Sequence, residues 1–514
     1  MNPVELNLFA SRMTAVCDEM GTVLQRTAFS PNIKDRLDYS CAVFDASGEL
    51  CAQAAHIPVH LGSMAYAMAS VVRNFAWRDG DVLVLNDPFL GGTHLPDVTL
   101  IGPVFVPGQQ SPVGFVANRA HHADIGCDSP GSMPVSRLLE EEGRIIPPSL
   151  LLRDGVLQKS ALQLLGDAQA PGLDPDFAAQ ASAVSVGVNR LSELIGRMGL
   201  TTFTQGLLEL NDYAERLALD ALQKLRPGKY HFTDYMDDDG FGLERIPLVL
   251  HLTVSDDVVE LDFSDCADQV PGNLNCPLPV TAAAAFYAFR CLMDSGTPAC
   301  AGAFRRIRLH TRPGSIVDAQ RPAAVAAGNV ETSTRLVDVI LGALAQCLPD
   351  AIPAASQGSM NNIAMGNINR QAGKRWDYYE TLAGGTGGGC HYPGLHAVHS
   401  HMTNTLNTPV ESLEMHYPLR VRRYQLRQGS GGAGKHAGGD GVIREYEFLA
   451  AGQVTLLTER RQLAPWGIAG GMDALPGRNL LNGKALPGKC AIRVKAGDRL
   501  EIQTPGGGGY GTDS

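Results

Sequence analysis

Glycine and proline interrupt this chain at short intervals, and this limits the length of any regular element. The sequence contains 57 glycines and 31 prolines among 514 residues. Both residue types favour turns, so the pattern predicts many short helices and strands joined by long ordered loops. Loops of this kind often carry functional sites. The length also exceeds one ordinary hydrophobic core, which predicts two to four domains.

Hydrophobic spacing predicts a mixed α/β (α+β) fold with several domains. Apolar residues recur at helical intervals over residues 4–28, 61–75, 177–197, 202–225, 279–292 and 330–348. Runs typical of strands occupy residues 40–44, 50–53, 81–85, 98–106 and 114–118, and alternation over 229–264 indicates a small antiparallel sheet. We therefore expect an N-terminal α/β domain at 1–228, a central region of helices and a small sheet at 229–417, and a β-rich, glycine-containing region at 418–514.

Charge and hydropathy argue against two classes of partner. The chain has 42 basic and 53 acidic residues, a net charge of −11, and no basic run that would suit a nucleic acid or an anionic membrane. No apolar run is long enough to cross a bilayer, and the N-terminus lacks the pattern of a secretory signal. The 11 cysteines include no CxxC pair, which is typical of reduced thiols. These features predict a cytoplasmic protein.

Histidine and aspartate concentrate around two polar loops and one hairpin. One loop carries the pair His94-x-x-Asp97, and the next begins at His121. Imidazole and carboxylate ligands suit zinc, manganese, iron or cobalt, and such a site leaves a position for water or a substrate oxygen. Spacing alone leaves open the alternative that the aspartates only cap turns. The group comprises Asp38, His56, His60, His94, Asp97, His121, His122 and Asp124.

A second set of histidines follows the glycine-rich segment LAGGTGGG at residues 382–389. The backbone N–H groups of Gly388 and Gly389 are candidates for contact with a substrate or an anion. A polar loop with histidines on one surface is the favoured alternative. The segment is neither a P-loop nor a dinucleotide-binding loop, because no GK[ST] and no strand–loop–helix unit accompany it. The chain therefore has no recognisable ATP site of its own.

The remaining candidate motifs indicate little chemistry. No GxSxG segment is present. Cys127 and Cys390 lie near histidine and glycine, but ordinary loop thiols explain them better. The acidic run at residues 234–239 lacks the spacing of a calcium-binding loop, which favours a solvated turn.

Long segments of the chain resemble the hydantoinase B/oxoprolinase family, in the family's order. They are NDPFLGGTHLPDVTLIGPVF, ANRAHHADIG, GNVETSTRLVDVILGAL, HMTNTLNTPVESLE, YPLRVRRYQLRQGSGGAGKHAGGDGVIRE and TPGGGGYG. The resemblance extends from DRLDYSCAVFD to the C-terminus. Two departures are Cys127-Asp128, where members often have two glycines, and LAGGTGGGC, before which many members carry a more extended stretch.

The resemblance implies an enzyme built from two kinds of subunit. A partner of the hydantoinase A type, with an actin-like fold, would bind ATP and magnesium and phosphorylate the oxygen of a cyclic amide. The present chain, of the B type, would then complete hydrolysis of 5-oxoproline, a hydantoin or a lactam. The resemblance also implies a heterodimer or heterotetramer with the A-type partner.

The resemblance further assigns roles to the histidines and aspartates. It implies a divalent transition metal (zinc, manganese, iron or cobalt) on Asp38, His94, Asp97 and His121, and leaves open which of His121 and His122 is the ligand. A hypothesis about mechanism adds two further roles. His122 or Asp124 would serve as general base, and His56 or His60 would orient a ligand from outside the metal's own contacts.

Three other functions remain open at this point. The chain could belong to an ATP-dependent carboxylase of the acetone or acetophenone type. It could be a non-catalytic scaffold for the A-type partner. It could also be a metallohydrolase that acts without ATP.

Overall fold

The fold is mixed α/β, as the hydrophobic spacing predicts. The computed structural model describes residues 1–54, 57–60, 62–166, 172–367 and 376–512. These described residues contain nine α-helices and four β-sheets. The helices are α1 Pro3–Thr27, α2 Pro31–Lys34, α3 Ser63–Val71, α4 Lys159–Leu164, α5 Pro175–Met198, α6 Leu200–Leu222, α7 Leu278–Arg290, α8 Ser333–Cys347 and α9 Val410–His416. None of them is long and apolar enough to cross a membrane.

The first sheet contains seven antiparallel strands in the order β2-β1-β5-β4-β3-β6-β7. Its hairpin β1–β2 turns at Asp45–Gly48, where Gly48 adopts a positive φ of 89°, as the sequence predicts. The strands are β1 Tyr39–Asp45, β2 Leu50–Ala54, β3 Val82–Leu85, β4 Asp97–Val104, β5 Gly114–His121, β6 Ser149–Arg153 and β7 Val156–Leu157.

This sheet is covered on both faces, so successive side chains of β1 enter different cores. Cys41 and Val43 belong to the largest core cluster, which includes α1, α5 and α6. Ala42 and Phe44 point the other way, into a cluster formed with α3. Alternation of this kind follows from the two-residue period of a strand. Burial on both sides holds the ends of β4 and β5 in a fixed register.

The second sheet contains the small antiparallel sheet predicted over residues 229–264 and adds one further strand, Ile307–His310, in parallel. Its strands are β8 Gly228–Asp238, β9 Glu244–Val254, β10 Val259–Asp262 and β11 Ile307–His310, in the order β11-β10-β9-β8. The acidic run at its first turn is not solvated, and that part of the sequence interpretation is wrong. Asp234 and Asp237 are buried, and Asp234 pairs with Arg460 at 2.7 Å. The arginine comes from the distant C-terminal region and was not identifiable as a partner from local sequence.

Two further sheets form the β-rich part of the fold. Their orders are β13-β12-β16-β19 and β14-β15-β20-β17-β18. The strands are β12 Asn362–Asn367, β13 Trp376–Glu380, β14 Leu419–Arg427, β15 Gly441–Phe448, β16 Gly452–Leu457, β17 Arg478–Leu481, β18 Lys484–Leu486, β19 Lys489–Val494 and β20 Arg499–Gln503. The domain boundaries near 228 and 418 stay predictions.

Three glycine-rich segments pack backbone against backbone beside these sheets. Gly388 donates its N–H to Gly508, Gly439 donates to Thr386, and Gly507 donates to Gly439. A Cβ added to Gly438 would lie 1.8 Å from the carbonyl oxygen of Gly507, so no larger residue fits there. The high glycine content therefore allows close packing of backbone segments as well as turns.

Candidate metal centre

Two neighbouring strands bring an aspartate and a histidine directly opposite each other. Asp97 begins β4 and His121 ends β5, and the two residues are paired across the antiparallel ladder. Side chains so paired stand about 4.5–5.5 Å apart at Cβ. The turn before β4 adds His94, because the Asp97 N–H donates to the His94 carbonyl at 3.1 Å. Three side chains that could hold a metal ion thus meet at one end of the first sheet.

The distances within this group suit a bound cation. His94 Nε2 and His121 Nδ1 lie 3.2 Å and 3.3 Å from Asp97 Oδ1. One ligand atom from each residue lies within 4.8 Å of the others. Ligands about 2.0–2.2 Å from a tetrahedral ion would stand roughly 3.3–3.6 Å apart. The two contacts of Asp97 are therefore compatible with ligands of one divalent ion, and all three side chains are buried.

Burial and mutual charge set the protonation of the group. Burial would raise the pKa of Asp97, but His94, His121 and His60 hold it well below its usual value. Burial lowers the pKa of His94, yet Asp97 beside it outweighs this and leaves the pKa raised. For His121, burial prevails over Asp97 and the pKa is lowered. The site thus combines an ionised carboxylate with one imidazole whose pKa is raised and one whose pKa is lowered.

Several imidazole nitrogens here have no hydrogen-bond partner among the described residues. They are both ring nitrogens of His94 and the Nε2 atoms of His60 and His121. A buried polar atom left unpaired costs about 1–3 kcal/mol. The 3.2 Å contact of His94 Nε2 with Asp97 therefore acts through charge rather than a well-directed hydrogen bond. A nitrogen of this group that carries no proton can offer its lone pair to a cation, which supports a candidate metal site.

Asp38 lies near this group but outside the compact set of three. It precedes β1, and its carbonyl accepts the N–H of His121 at 3.0 Å. Its charge acts to raise the pKa of both His94 and His121. Its Oδ2 lies 3.8 Å from Arg36 Nη2, and the side chain is largely buried. Asp38 is therefore placed at the edge of the site, held by an arginine.

The two adjacent histidines, His121 and His122, have different surroundings. His121 faces the group, whereas His122 points to the opposite face of the sheet, as the two-residue period requires. There its Nε2 is 2.8 Å from Gln180 Oε1, and its ring packs on Phe177. Asp124 lies on an exposed turn, where its Oδ1 accepts the N–H of Gly126 at 2.7 Å. The structure thus brings neither His122 nor Asp124 into the compact set.

Of the remaining sequence candidates, His60 lies near the group, whereas Gly388 and Gly389 lie in the glycine packing. His60 does approach the group, since its Nε2 is 3.5 Å from Asp97 Oδ2 and its Nδ1 is 3.0 Å from Ser40 Oγ. His56 lies outside the described residues. Gly388 and Gly389 are buried in the glycine packing, and both N–H groups already donate to backbone carbonyls. Gly388 donates to Gly508 and Gly389 donates to Tyr392, so both donors predicted to contact a substrate or an anion already have backbone partners.

Residues far away in sequence complete the surroundings. Tyr379 of β13 stacks on His121, with ring centroids 4.9 Å apart. Asn329 donates to Asp97 Oδ2 at 3.4 Å, and Thr93 donates to the same oxygen at 2.6 Å. Thr93 is adjacent to His94, so its position in the sequence is a local signal that it lies near the group. Nothing local marks Tyr379 or Asn329, because their approach depends on how distant elements pack.

Comparison with known proteins now gives the family. The family model named hydantoinase B/oxoprolinase matches residues 2–513. The chain belongs to this family. The match includes the loops that carry His94 and His121.

Relatives in this family differ in length. An uncharacterized protein of Methanocaldococcus jannaschii is 38% identical over 100% of this chain and 91% of its own length. A putative B-type subunit of a D-/L-hydantoinase from Pseudomonas sp. is 30% identical over 99% of this chain and 90% of its own. The 5-oxoprolinase of Dictyostelium discoideum is 39% identical over 99% of this chain, which spans only 40% of that longer protein.

Two solved structures share the fold. The ATP-dependent caprolactamase of Pseudomonas jessenii superposes with a TM-score of 0.91 and 27% identity, over 100% of this chain and 91% of the other. A nucleotide-free acetone carboxylase gives a TM-score of 0.86 and 18% identity, over 99% and 76%. The second likeness shows the fold alone.

Proposed function

We propose that this chain is the metal-binding subunit of an enzyme that hydrolyses a cyclic amide after ATP-dependent activation by a partner. The observation that carries the proposal is the buried group His94, Asp97 and His121 in a chain of the hydantoinase B/oxoprolinase family. Relatives named 5-oxoprolinase, D-/L-hydantoinase and caprolactamase support a cyclic amide as substrate. The compounds in these names all contain a cyclic amide. The substrates to test are therefore 5-oxoproline, a hydantoin and a lactam.

The length of the relatives supports a division of labour. The chain spans 40% of the Dictyostelium 5-oxoprolinase but 90% of the Pseudomonas hydantoinase relative. We infer that the additional part of the longer protein corresponds to a separate hydantoinase A-type partner here. That partner would bind ATP and magnesium and activate the amide oxygen, because an unstrained amide is a poor electrophile. The assembly would be a heterodimer or a heterotetramer.

His94, Asp97 and His121 would hold the divalent ion, with Asp38 as the fourth ligand. Zinc, manganese, iron and cobalt all suit this donor set. When bound, such an ion lowers the pKa of a coordinated water and polarises a carbonyl group. The chain's own residues bind and orient: Arg36 holds Asp38, and Tyr379 fixes the plane of His121.

The positions of His122 and Asp124 do not favour them as the general base. The His122 imidazole is committed to Gln180, and Asp124 sits on an exposed turn. Neither residue therefore has a proton-transfer role in the proposed reaction. His60 orients Asp97 from outside the compact set, through the 3.5 Å contact between its Nε2 and Asp97 Oδ2.

The test is to express the chain with and without an A-type partner. Phosphate release and ring opening are measured with 5-oxoproline, a hydantoin and caprolactam, and bound metal is measured by elemental analysis. We expect coupled turnover only when both proteins are present, and loss of metal and turnover in His94→Ala. His251→Ala is the control, because His251 lies on β9 and is 45% exposed.

Other outcomes separate the alternatives. Turnover of a ketone that requires bicarbonate would assign the chain to the carboxylases, whose fold it shares. Ring opening by the chain alone would indicate a metallohydrolase that acts without ATP. Full turnover in His94→Ala with no bound metal in either protein would leave only a scaffolding role.

A further inference from the structure

The two carboxylate oxygens of Asp97 have different surroundings. Oδ1 faces the imidazoles of His94 and His121, at 3.2 Å and 3.3 Å. Oδ2 faces away from that pair and receives hydrogen bonds from Thr93 Oγ1 at 2.6 Å and Asn329 Nδ2 at 3.4 Å. His60 Nε2 lies 3.5 Å from the same oxygen. One oxygen is thus directed to the candidate ion, and the other is held by the protein.

We propose that Thr93 and Asn329 are positioning residues that make Asp97 a ligand through one oxygen only. The inference rests on the proposed metal site. An oxygen of a carboxylate has two lone pairs, and the donors around Oδ2 occupy them. Asp97 then cannot swing to offer both oxygens, and a position on the ion stays free for water or substrate.

Thr93 makes the stronger of the two contacts. Its hydroxyl is fully buried, and a 2.6 Å O–H···O⁻ bond lies in the range of charge-assisted hydrogen bonds. Thr93 and Asp97 are four residues apart in one tight loop, in which Gly92 donates its N–H to Asp87. A Cβ at Gly92 would lie 2.4 Å from the Asn86 carbonyl oxygen, so the loop closes only with glycine there. This closure places the Thr93 hydroxyl on Asp97.

Asn329 reaches Asp97 from a π-helical turn, Gly328–Thr332, that precedes α8. Turns of this kind are rare and often occur at functional sites. Gly328 packs against the backbone of Asn275, where a Cβ would lie 1.9 Å from the carbonyl oxygen. A carboxylate only accepts hydrogen bonds, so the NH₂ group of Asn329 must be the part that faces it. The orientation of the carboxamide is therefore determined by its partner.

Other metal sites show what such contacts do. Groups that hold a ligand from outside the coordination sphere alter metal affinity by about 10- to 100-fold when they are removed. Freeing Oδ2 of Asp97 would allow it to bind the ion as well, which raises the coordination number. Visible absorption of bound Co²⁺ reports coordination number, because four-coordinate cobalt absorbs more strongly than five- or six-coordinate cobalt. This readout does not depend on turnover.

The experiment compares metal-free wild type with Thr93→Val, Thr93→Ser and Asn329→Ala, each loaded with Co²⁺ alone. Thr334→Val is the matched control, since Thr334 is a buried threonine whose hydroxyl donates to a backbone carbonyl of its own helical segment. Affinity is measured by competition with a chelator. We expect Thr93→Val to weaken Co²⁺ binding by about 10- to 100-fold and to reduce visible absorbance. Thr93→Ser should keep the Co²⁺ affinity and the absorbance near those of wild type. Asn329→Ala should lower the affinity and the absorbance, as Thr93→Val does. Thr334→Val should match wild type.

Wild-type affinity and an unchanged spectrum in Thr93→Val would overturn the positioning role. If Thr93→Val fails to fold, as judged by its melting curve, Asn329→Ala decides in its place. Absence of Co²⁺ binding in wild type, or retention of it in His94→Ala, would instead refute the metal site on which the inference rests. The two failures are therefore distinguishable.

Discussion

The phenol ring of Tyr379 stacks on the imidazole of His121, with centroids 4.9 Å apart and planes 12° apart. The contact joins β13 of the third sheet to the end of β5 in the first. The Tyr379 hydroxyl donates to Asn362 Oδ1 at 2.7 Å, and Asn362 Nδ2 donates to Glu331 Oε1 at 2.6 Å. The ring that holds the plane of His121 is therefore itself fixed by a buried polar chain.

Tyr379→Ala should lose more stability and more metal affinity than Tyr379→Phe. Truncation to alanine leaves a cavity beside His121 and should cost about 3–5 kcal/mol of stability, with weaker metal binding. Phenylalanine keeps the stack and removes only the bond to Asn362, which should cost about 1–2 kcal/mol. Melting curves and metal content of the two variants check this. Equal metal affinity in both would show that the stack does not orient His121.

His121→Ala and His122→Ala should separate metal binding from stability. His121 faces Asp97, so its loss should abolish stoichiometric metal. His122 bonds Gln180, so its loss should leave a buried amide oxygen unpaired and cost about 1–3 kcal/mol while metal is retained. Elemental analysis and melting temperature measure the two effects. Loss of metal in His122→Ala alone would reverse the assignment of the ligand.

Glu331 should make the protein less stable as pH rises. Burial, aided by the charge of Glu459, raises the pKa of Glu331 to about 8. The folded state therefore keeps a proton that the unfolded chain releases near the model-peptide pKa of 4.5. The stability this gives is complete below that lower pKa and is lost as pH rises through the folded-state pKa of about 8.

Glu331→Gln stays neutral and retains an acceptor for Asn362. At about pH 8.5 the variant should therefore gain in melting temperature relative to wild type, compared with the difference at about pH 5. The corresponding change in the difference of unfolding free energy is at most about 5 kcal/mol. Differential scanning calorimetry at both pH values makes the comparison. A constant difference between the two proteins would contradict the raised pKa.

Gly438→Ala should disrupt the glycine packing. Its Cβ would meet the Gly507 carbonyl oxygen at 1.8 Å, and relief requires backbone movement that should cost about 3 kcal/mol or more. Gly196→Ala is the matched control, because Gly196 lies exposed in α5, and no described residue outside its own helical turn comes within 4 Å of the added Cβ. That change should stabilise by about 0.5–1 kcal/mol. An unchanged melting temperature in Gly438→Ala would argue against close packing.

Local sequence predicted the elements better than it predicted their surroundings. The helix expected over residues 4–28 is α1, Pro3–Thr27, because its apolar spacing and its Asn2 cap are both local signals. The strand expected over 114–118 instead continues to His121, since pairing with β1 and β4 extends it. The helix expected over 330–348 begins with a π-helical turn, which depends on the docking of Gly328 against Asn275.

By itself the sequence determined the mixed α/β class, the two polar loops, and the pairing of His94 with Asp97 in one turn, because periodicity and turn chemistry act over a few residues. Only the tertiary structure decided that His121 rather than His122 joins them, since a strand sends adjacent side chains to opposite faces. It also decided that Thr93, Asn329 and Tyr379 surround the group. Two of these come from elements hundreds of residues away, and only packing of the cores could bring them to the same carboxylate and imidazole.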